Sequence, residues 1–246
     1  MEYDAAIIGL GYVGLSTAIC FASRGIKVLG IDIDRKKVQK IRTGKSPIFE
    51  KNMPILLKKV VKNGKLNVQS NYNEICKSKI IFLAVGTPSN NNGSINLKYI
   101  KAAIKHIGLS IKKSNEYFLI VIKSTTVPNT SEKIRRDLER YSEKTSGINF
   151  GIIVNPEFLQ EGKAIQDTLY PDRIIIGHSS KKDKKIIMKF YKKIYRKIPP
   201  VVYTTPNNAE LIKYSTSTFL ALKISYINYI ARLAEKIPGG DIVEIK

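Results

Sequence analysis

Cysteine is nearly absent from this 246-residue sequence, with only Cys20 and Cys76 present. Each lies in an apolar or mixed segment, so neither a disulfide framework nor a cysteine-based metal site is expected. Long apolar runs are missing too. Hydrophobic residues make up 43% of the chain, yet no stretch approaches the length needed to cross a bilayer, and no membrane association is expected. The opening MEYDAAIIGLGYVG carries acids where a signal peptide carries bases, and it runs directly into a strand pattern; the expected location is the cytoplasm. No internal repeat or low-complexity linker interrupts the chain, whose length fits one large domain or one domain plus part of another.

Acidic residues are also scarce, 20 against 42 basic ones, for a formal charge of +22. Such a balance suits nucleic acid, an anionic surface or a phosphorylated small molecule. The lysines are spread along helix-like segments such as KKDKKIIMKFYKKIYRK, however, with no interleaved aromatic platform. They read as solvated helix faces, and no nucleic-acid partner is expected.

What is present is an alternation of strand-length apolar runs with segments of helical period, the pattern of parallel βαβ units. Strands are expected near DAAIIGL, KVLGID, KIIFLAV, YFLIVIK and FGIIV, with helices near 12–24, 34–43, 97–110 and 129–142. RIIIG, a basic helix at about 181–195 and a short strand PVVYT follow. From Asn207 to about Lys236 apolar positions recur at helical spacing with no internal Pro or Gly, which predicts a helix of roughly 30 residues. The fold class is α/β, a Rossmann-like doubly wound and mostly parallel sheet followed by a long α-helix. We divide the chain into a dinucleotide-binding unit over 1–203 and the start of a second unit over 204–246.

IIGLGYVG places Gly9, Gly11 and Gly14 in GxGxxG spacing where the first strand meets the first helix. Gly9 permits the tight turn, Gly11 lets a pyrophosphate approach the backbone, and Gly14 permits close helix-on-strand packing, while the helix N-terminus attracts phosphate. Alone, the spacing also fits an ordinary turn. The second strand ends in Asp32, where a carboxylate can accept both ribose hydroxyls and repels a 2′-phosphate, so strand, turn, helix and acid together favour NAD. Arg35 and Lys37, just after that strand, temper the preference over NADP. Two further segments, AVGTPS with Thr87 and KSTTVP with Thr125, close strands at the sheet edge where ligands bind; each also reads as a plain strand-to-turn junction. In NPEFLQEG, Glu157 and Glu161 stand four apart, a spacing that suits one helical face. The plainer alternative is a capped helix start, with Asn155 as cap, Pro156 in the first turn and Glu157 favoured by the dipole.

Taken together, GLGYVGL, GKSPIFE, AVGTPSNNNGSINL, KSTTVP, NPEFLQEG, YPDRIIIG and NAELIKY…FLALKISYIN resemble the UDP-glucose/GDP-mannose dehydrogenase family, in order and spacing, over nearly all of the chain. NPEFL followed by EG is most similar to the UDP-glucose 6-dehydrogenase branch. The resemblance implies oxidation of the C6 alcohol of a nucleotide sugar to a carboxylate with two NAD in succession. It implies a base, a thiol to trap the aldehyde, an oxyanion donor and a carboxylate assisting water. Carried over position by position, it makes Glu157 the general acid/base acting through water and Lys213 the holder of the alkoxide and oxyanion, with Thr125 in a catalytic role. Substrate binding falls to Glu157, Phe158, Leu159, Glu161, Lys213 and Ser217. Cofactor binding falls to Gly9, Gly11, Tyr12, Val13, Gly14, Asp32, Lys37, Thr87, Thr125 and Glu161, with Lys37 beside the adenosine ribose. No metal is implied.

Two departures stand out. Four positions after Lys213 the family carries an asparagine, and this chain has Ser217, whose hydroxyl donates a hydrogen bond but is shorter. The glycine-rich segment bearing the nucleophilic cysteine, and the nucleotide-binding domain that follows it in the family, have no counterpart before Lys246; Cys20 and Cys76 do not match by motif. The expectation is a chain that binds NAD without completing the oxidation, either one part of a longer enzyme whose C-terminal half is supplied separately or an inactive binder of NAD and nucleotide sugar. A homodimer through the helix near 207–236 is expected to cover its apolar surface.

Overall fold

The computed structural model describes residues 2–246. Eight strands form one sheet in the order β3-β2-β1-β4-β5-β6-β7-β8. They are β1 (Ala5–Ile8), β2 (Val28–Ile31), β3 (Leu66–Gln69), β4 (Ile80–Leu83), β5 (Phe118–Ile122), β6 (Phe150–Val154), β7 (Ile174–His178) and β8 (Val201–Thr204). All neighbouring pairs are parallel except β6 and β7, which run antiparallel. The central strands AAII, VLGI, IIFL and FLIVI are buried at every position, because helices cover both faces and leave no side for polar residues.

The period of two divides these strands between two cores. Ile7, Phe82, Leu119 and Val121 face one side, where they meet α1 (Tyr12–Ser23), α3 (Met53–Lys62), α6 (Ala164–Leu169) and α7 (Lys181–Ile194) through Leu15, Ile19, Leu57, Ile165 and Phe190. Ile8, Ile81, Ile120 and Ile122 face the other, against α4 (Lys98–Ile111) and α5 (Thr130–Ser142) through Ile104, Ile107, Ile134 and Leu138. Side chains cap the starts of two of the helices. Asp34 accepts the N–H of Lys37 to start α2 (Arg35–Arg42), and Ser180 accepts those of Lys182 and Asp183 to start α7.

The long helix is α8 (Pro206–Ala234), opened by Pro206 with the Thr205 hydroxyl accepting from Asn208 N–H. Its first turn is clamped on the sheet: a Cβ at Gly177 would come within 2.6 Å of the Ala209 Cβ. Beyond that turn most of its large apolar residues, including Phe219, Leu222, Tyr226 and Tyr229, are exposed. A short helix, α9 (Ile242–Ile245), follows. Among the described residues no helix is long and apolar enough to cross a membrane.

Three features differ from the sequence reading. The edge strand β3 and helix α3 were not anticipated, since LNVQ is short and half polar, and α3 begins from a left-handed Asn52 (φ 64°) without a side-chain cap. The third is NPEFLQEG. Residues 155–160 are irregular, 161–163 turn, and helix begins only at Ala164. Glu157 and Glu161 therefore do not share a helical face, and Asn155 caps nothing.

Candidate active site

The order of the sheet reverses between β1 and β4, and the crevice beyond their carboxyl ends is where an open α/β sheet takes a ligand. The three glycines line it for three different reasons. Gly9 has φ +87°, and a Cβ there would lie 2.7 Å from the carbonyl oxygen of Ala84, the residue following β4. At Gly14 a Cβ would fall 1.8 Å from the Gly9 oxygen, so α1 and the turn are pressed together. At Gly11 a Cβ would meet nothing within 4 Å; this backbone faces open space at the start of α1, where N–H groups are free for an anion. Tyr12 and Val13 follow in that first turn, partly exposed.

Asp32, at the tip of β2, is 7% exposed. Its Oδ2 accepts from Leu10 N–H at 2.8 Å and from the Lys37 ammonium at 2.8 Å, and its Oδ1 accepts from Asp34 N–H at 2.9 Å. Lys37 is therefore brought to the acid itself, so a ribose hydroxyl seeking Oδ2 meets a carboxylate already paired with a lysine.

The strand-end segments after β4 and β5 are tied to each other. Ser124 Oγ donates to Val85 O at 2.7 Å, and Thr126 Oγ1 donates to Glu210 Oε1 at 3.2 Å. Thr125 stands between these two pinned neighbours, half-buried, and Thr87 is half-buried at the start of its loop. Glu210 also accepts Ser131 N–H at 2.8 Å, which fixes the base of α8 to the start of α5. Burial raises the pKa of Glu210 above the usual carboxylate range, against the pull of these hydrogen bonds.

The loop after β6 carries the carboxylate of interest. Lys213, in the second turn of α8, donates to Glu157 Oε1 at 2.9 Å and to the Glu157 carbonyl at 2.7 Å. Both side chains are largely withdrawn from solvent, 14% and 12% exposed. The other carboxylate oxygen accepts Leu159 N–H at 2.7 Å, which bends the loop back on itself in place of a helical turn. The Phe158 ring centroid lies 4.7 Å from the Arg173 guanidinium and 5.3 Å from the Lys213 ammonium. Glu161 and Ser217 are exposed.

Beneath this loop is a cavity of about 110 Å³ lined by Phe21, Lys123, Asn155, Glu157, Arg173 and Tyr191, among others. Lys123, which the sequence reading passed over, donates to Asn155 Oδ1 at 3.2 Å, and Tyr191 OH donates to the same oxygen at 2.5 Å. Asn155 Nδ2 in turn donates to Ile175 O at 2.8 Å. Burial pulls the Lys123 pKa down to about 8, Glu157 opposing the shift and Lys213 adding to it. Two lysines thus flank one carboxylate. A second residue missed in the sequence is Glu50, whose carboxylate is bonded to Tyr12 OH and accepts Gly162 N–H at 3.0 Å. The signal for both was their position inside quoted motifs, Lys123 opening KSTTVP and Glu50 closing GKSPIFE.

Cys20 is fully buried in α1 with its Sγ directed at Ile165 O, 3.7 Å away, and burial pushes its pKa up to about 12. Cys76 is partly buried against Ser110 O, with its pKa also raised by burial. Neither thiol is poised as a nucleophile.

This geometry matches known proteins along the whole chain. Residues 3–197 match the NAD binding domain of the UDP-glucose/GDP-mannose dehydrogenase family, and residues 207–246 match its central domain. The UDP-glucose 6-dehydrogenase TuaD of Bacillus subtilis is 39% identical over 241 residues, covering 98% of this chain and 50% of that protein. A GDP-mannose dehydrogenase from Pseudomonas aeruginosa, solved as a ternary complex, superposes with a TM-score of 0.94 at 34% identity, over 98% of this chain and 55% of that one. A UDP-glucose dehydrogenase from Pyrobaculum islandicum superposes with a TM-score of 0.92, also at 34% identity, over 100% of this chain and 56% of that one. The chain spans about half the length of most of the curated relatives it matches. The chain belongs to the UDP-glucose/GDP-mannose dehydrogenase family.

Proposed function

We propose that the chain binds NAD at the crevice between β1 and β4 and carries the acid/base and oxyanion-holding groups for oxidising the C6 alcohol of a nucleotide sugar, of the UDP-glucose to UDP-glucuronate type. The observation that carries the reading is the Lys213–Glu157 pair at 2.9 Å, withdrawn from solvent on the loop after β6. In so basic a chain a lysine on a long helix ordinarily faces water; this one is held against a carboxylate in a loop that leaves the same sheet.

NAD, when bound, supplies the hydride acceptor. The open backbone at Gly11, the tight turn at Gly9 and the acid at Asp32 fit it: anion, close approach and ribose are each provided for. Val13 and Tyr12 would contribute backbone N–H groups, and Thr87, Thr125 and Lys37 would complete the cofactor contacts. Glu157 would take the alcohol proton through water. The ammonium of Lys213 would compensate the charge left on the oxygen, with Ser217 assisting one helical turn away. Phe158, Leu159 and Glu161 would frame the sugar.

Conversion of the aldehyde to the acid needs a thiol, and the buried states of Cys20 and Cys76 argue that neither supplies it. We therefore assign the thiol to the part of the family's fold that this chain does not span, with residues 1–203 as the cofactor unit and 204–246 as the opening of the central unit. The exposed apolar residues of α8 support a homodimer formed through that helix. A second reading, a binder of NAD and nucleotide sugar without turnover, is favoured by the exposed Ser217 where the family has an asparagine.

The test is calorimetric titration of the chain with NAD, NADP, UDP-glucose and GDP-mannose, followed by an assay for NADH formation. NAD binding in preference to NADP, without steady turnover, is the expected result. Failure to bind NAD would overturn the reading, and steady NADH formation by this chain alone would overturn the need for an outside thiol.

A further inference from the structure

Glu50 is 3% exposed, in a chain whose acids are few and mostly at the surface, and its Oε1 has no hydrogen-bond partner among the described residues. Its Oε2 lies at a junction of three segments far apart in sequence. Tyr12, the first residue of α1 and next to the open Gly11, brings its hydroxyl to Oε2. Gly162, in the left-handed conformation at φ +84°, donates its N–H to Oε2 at 3.0 Å and to the Tyr12 hydroxyl at 2.9 Å. The same hydroxyl lies 3.2 Å from Gln160 O. Phe49, next in the chain, is 99% exposed, so the segment approaches this junction through Glu50 and not through its aromatic neighbour.

The arrangement is poorly explained as stabilisation alone. A buried carboxylate left half-satisfied is costly, a state that Glu50 shares with Glu210; what sets Glu50 apart is the three-segment junction at its Oε2. What the arrangement does accomplish is mechanical: the glycine turn cannot shift without moving the Tyr12 hydroxyl, and the 160–162 turn cannot shift without breaking bonds to it. Tyr12 also stays protonated across the ordinary pH range, since burial first and Glu50 second push its pKa up to about 12. The bridge therefore has a protonated phenol as its donor.

We propose that Glu50 is a positioning residue that latches the loop bearing Glu157 and Glu161 to the glycine turn through Tyr12, so that a dinucleotide seated on the turn orders that loop. The inference rests on the NAD reading above for its ligand, but the latch itself is a property of the ligand-free chain. Ordering the loop costs conformational entropy, and a first ligand that has already met that cost makes the second bind more tightly. Glu50 thus couples the two ligands, and by linkage each tightens the other by the same factor.

The experiment is amide hydrogen exchange on the full chain, without ligand and with saturating NAD, for the wild type, Glu50→Gln, Tyr12→Phe and the conservative Glu50→Asp. In the wild type, NAD should slow exchange at residues 159–162 by roughly tenfold. In Glu50→Gln and Tyr12→Phe that protection should vanish while NAD still binds, weakened about threefold to tenfold, and Glu50→Asp should recover part of it. Without ligand, both variants should loosen the turn at 9–14 and the loop at 159–162 together. Protection by NAD that survives in either variant, or loosening confined to one segment, overturns the latch. If the wild type fails to bind NAD, the NAD reading falls, and the ligand-free comparison still decides whether the two segments are coupled. Thermal unfolding of each variant checks that it is folded, and Tyr12→Phe carries the test should Glu50→Gln fail to fold.

Discussion

Replacing Lys123 with methionine should remove a rise in stability that the wild-type protein shows between neutral and alkaline pH. The side chain fills similar space, and the backbone N–H keeps its bond to Leu83 O. Asn155 Oδ1 loses the ammonium at 3.2 Å but retains Tyr191 OH at 2.5 Å, so no buried acceptor is orphaned. What changes is the titration. Burial depresses the Lys123 pKa from 10.5 to about 8 in the folded protein. Between those values the unfolded chain holds a proton that the folded one does not, so stability rises with pH across the window, and below it the penalty is fully present.

The full difference corresponds to about 3 kcal/mol at about 1.36 kcal/mol per tenfold. The part that titrates between about pH 7 and about pH 9.5 is about 2 kcal/mol. Lys123 retains some solvent exposure, which screens the interaction and brings the measurable difference to about 1–2 kcal/mol. The assay is urea unfolding followed by circular dichroism at a series of pH values in constant salt, for the wild type and Lys123→Met. Keeping below about pH 10 avoids the tyrosines whose pKa burial has raised, which act in the opposite direction once the unfolded chain begins to lose phenolic protons. The gap between the two proteins should be widest near neutrality and close as pH rises. Parallel curves would refute the reasoning, because they would mean that Lys123 carries the same charge folded and unfolded.

Asp32→Asn, which keeps the shape but not the charge, should weaken NAD by about tenfold and narrow its advantage over NADP, measured by calorimetry; unchanged discrimination would remove Asp32 from the ribose. Gly14→Ala places a methyl 1.8 Å from Gly9 O, and should lower unfolding free energy by about 3 kcal/mol or more with loss of NAD affinity. Sedimentation at micromolar concentration should show a dimer, and Leu222→Lys on the exposed face of α8 should shift it toward monomer; a wild-type monomer would count against a helix-mediated dimer.

The parts of the fold that could be read in advance are those with a short-range physical cause. β1, β2, β4, β5 and β6 lie within the covered sheet, so each is an apolar run bounded by turn residues, and α1, α2, α4 and α5 show their period plainly. The glycine turn was legible for the same reason, since its three positions are fixed by local sterics that only glycine meets. NPEFLQEG was misread because its two carboxylates satisfy a helical spacing while their partners lie elsewhere. Glu157 folds back on Leu159 N–H, Asn155 reaches to Ile175 O, and Gly162 at φ +84° ends any continuation. Nothing in an eight-residue window carries those bonds.

The polar framework of the site consists of contacts between distant positions: Lys123 to Asn155 across 32 residues, Glu210 to Ser131 across 79, Glu50 to Gly162 across 112, and Tyr12 to Gln160 across 148. Such pairs leave no periodicity. They do leave a trace in composition, and here the excess of base sharpens it. With 42 basic residues against 20 acidic ones, a solvated lysine is the default and an acid is the exception that needs a cause. The surface acids sit among cations on helix faces, as Glu132 does with Arg135 and Arg136, whereas Asp32, Glu50 and Glu210 are buried and each accepts from a backbone N–H of a distant segment. All three fall inside or beside loops and helix starts. A buried carboxylate of this kind organises backbone, because N–H groups at turns and helix starts have no partner within their own element. Asp32, Glu50 and Glu210 are therefore positions at which distant backbone segments are tied together around the crevice, and Glu157, paired with Lys213 and accepting Leu159 N–H, follows the same logic on the loop after β6.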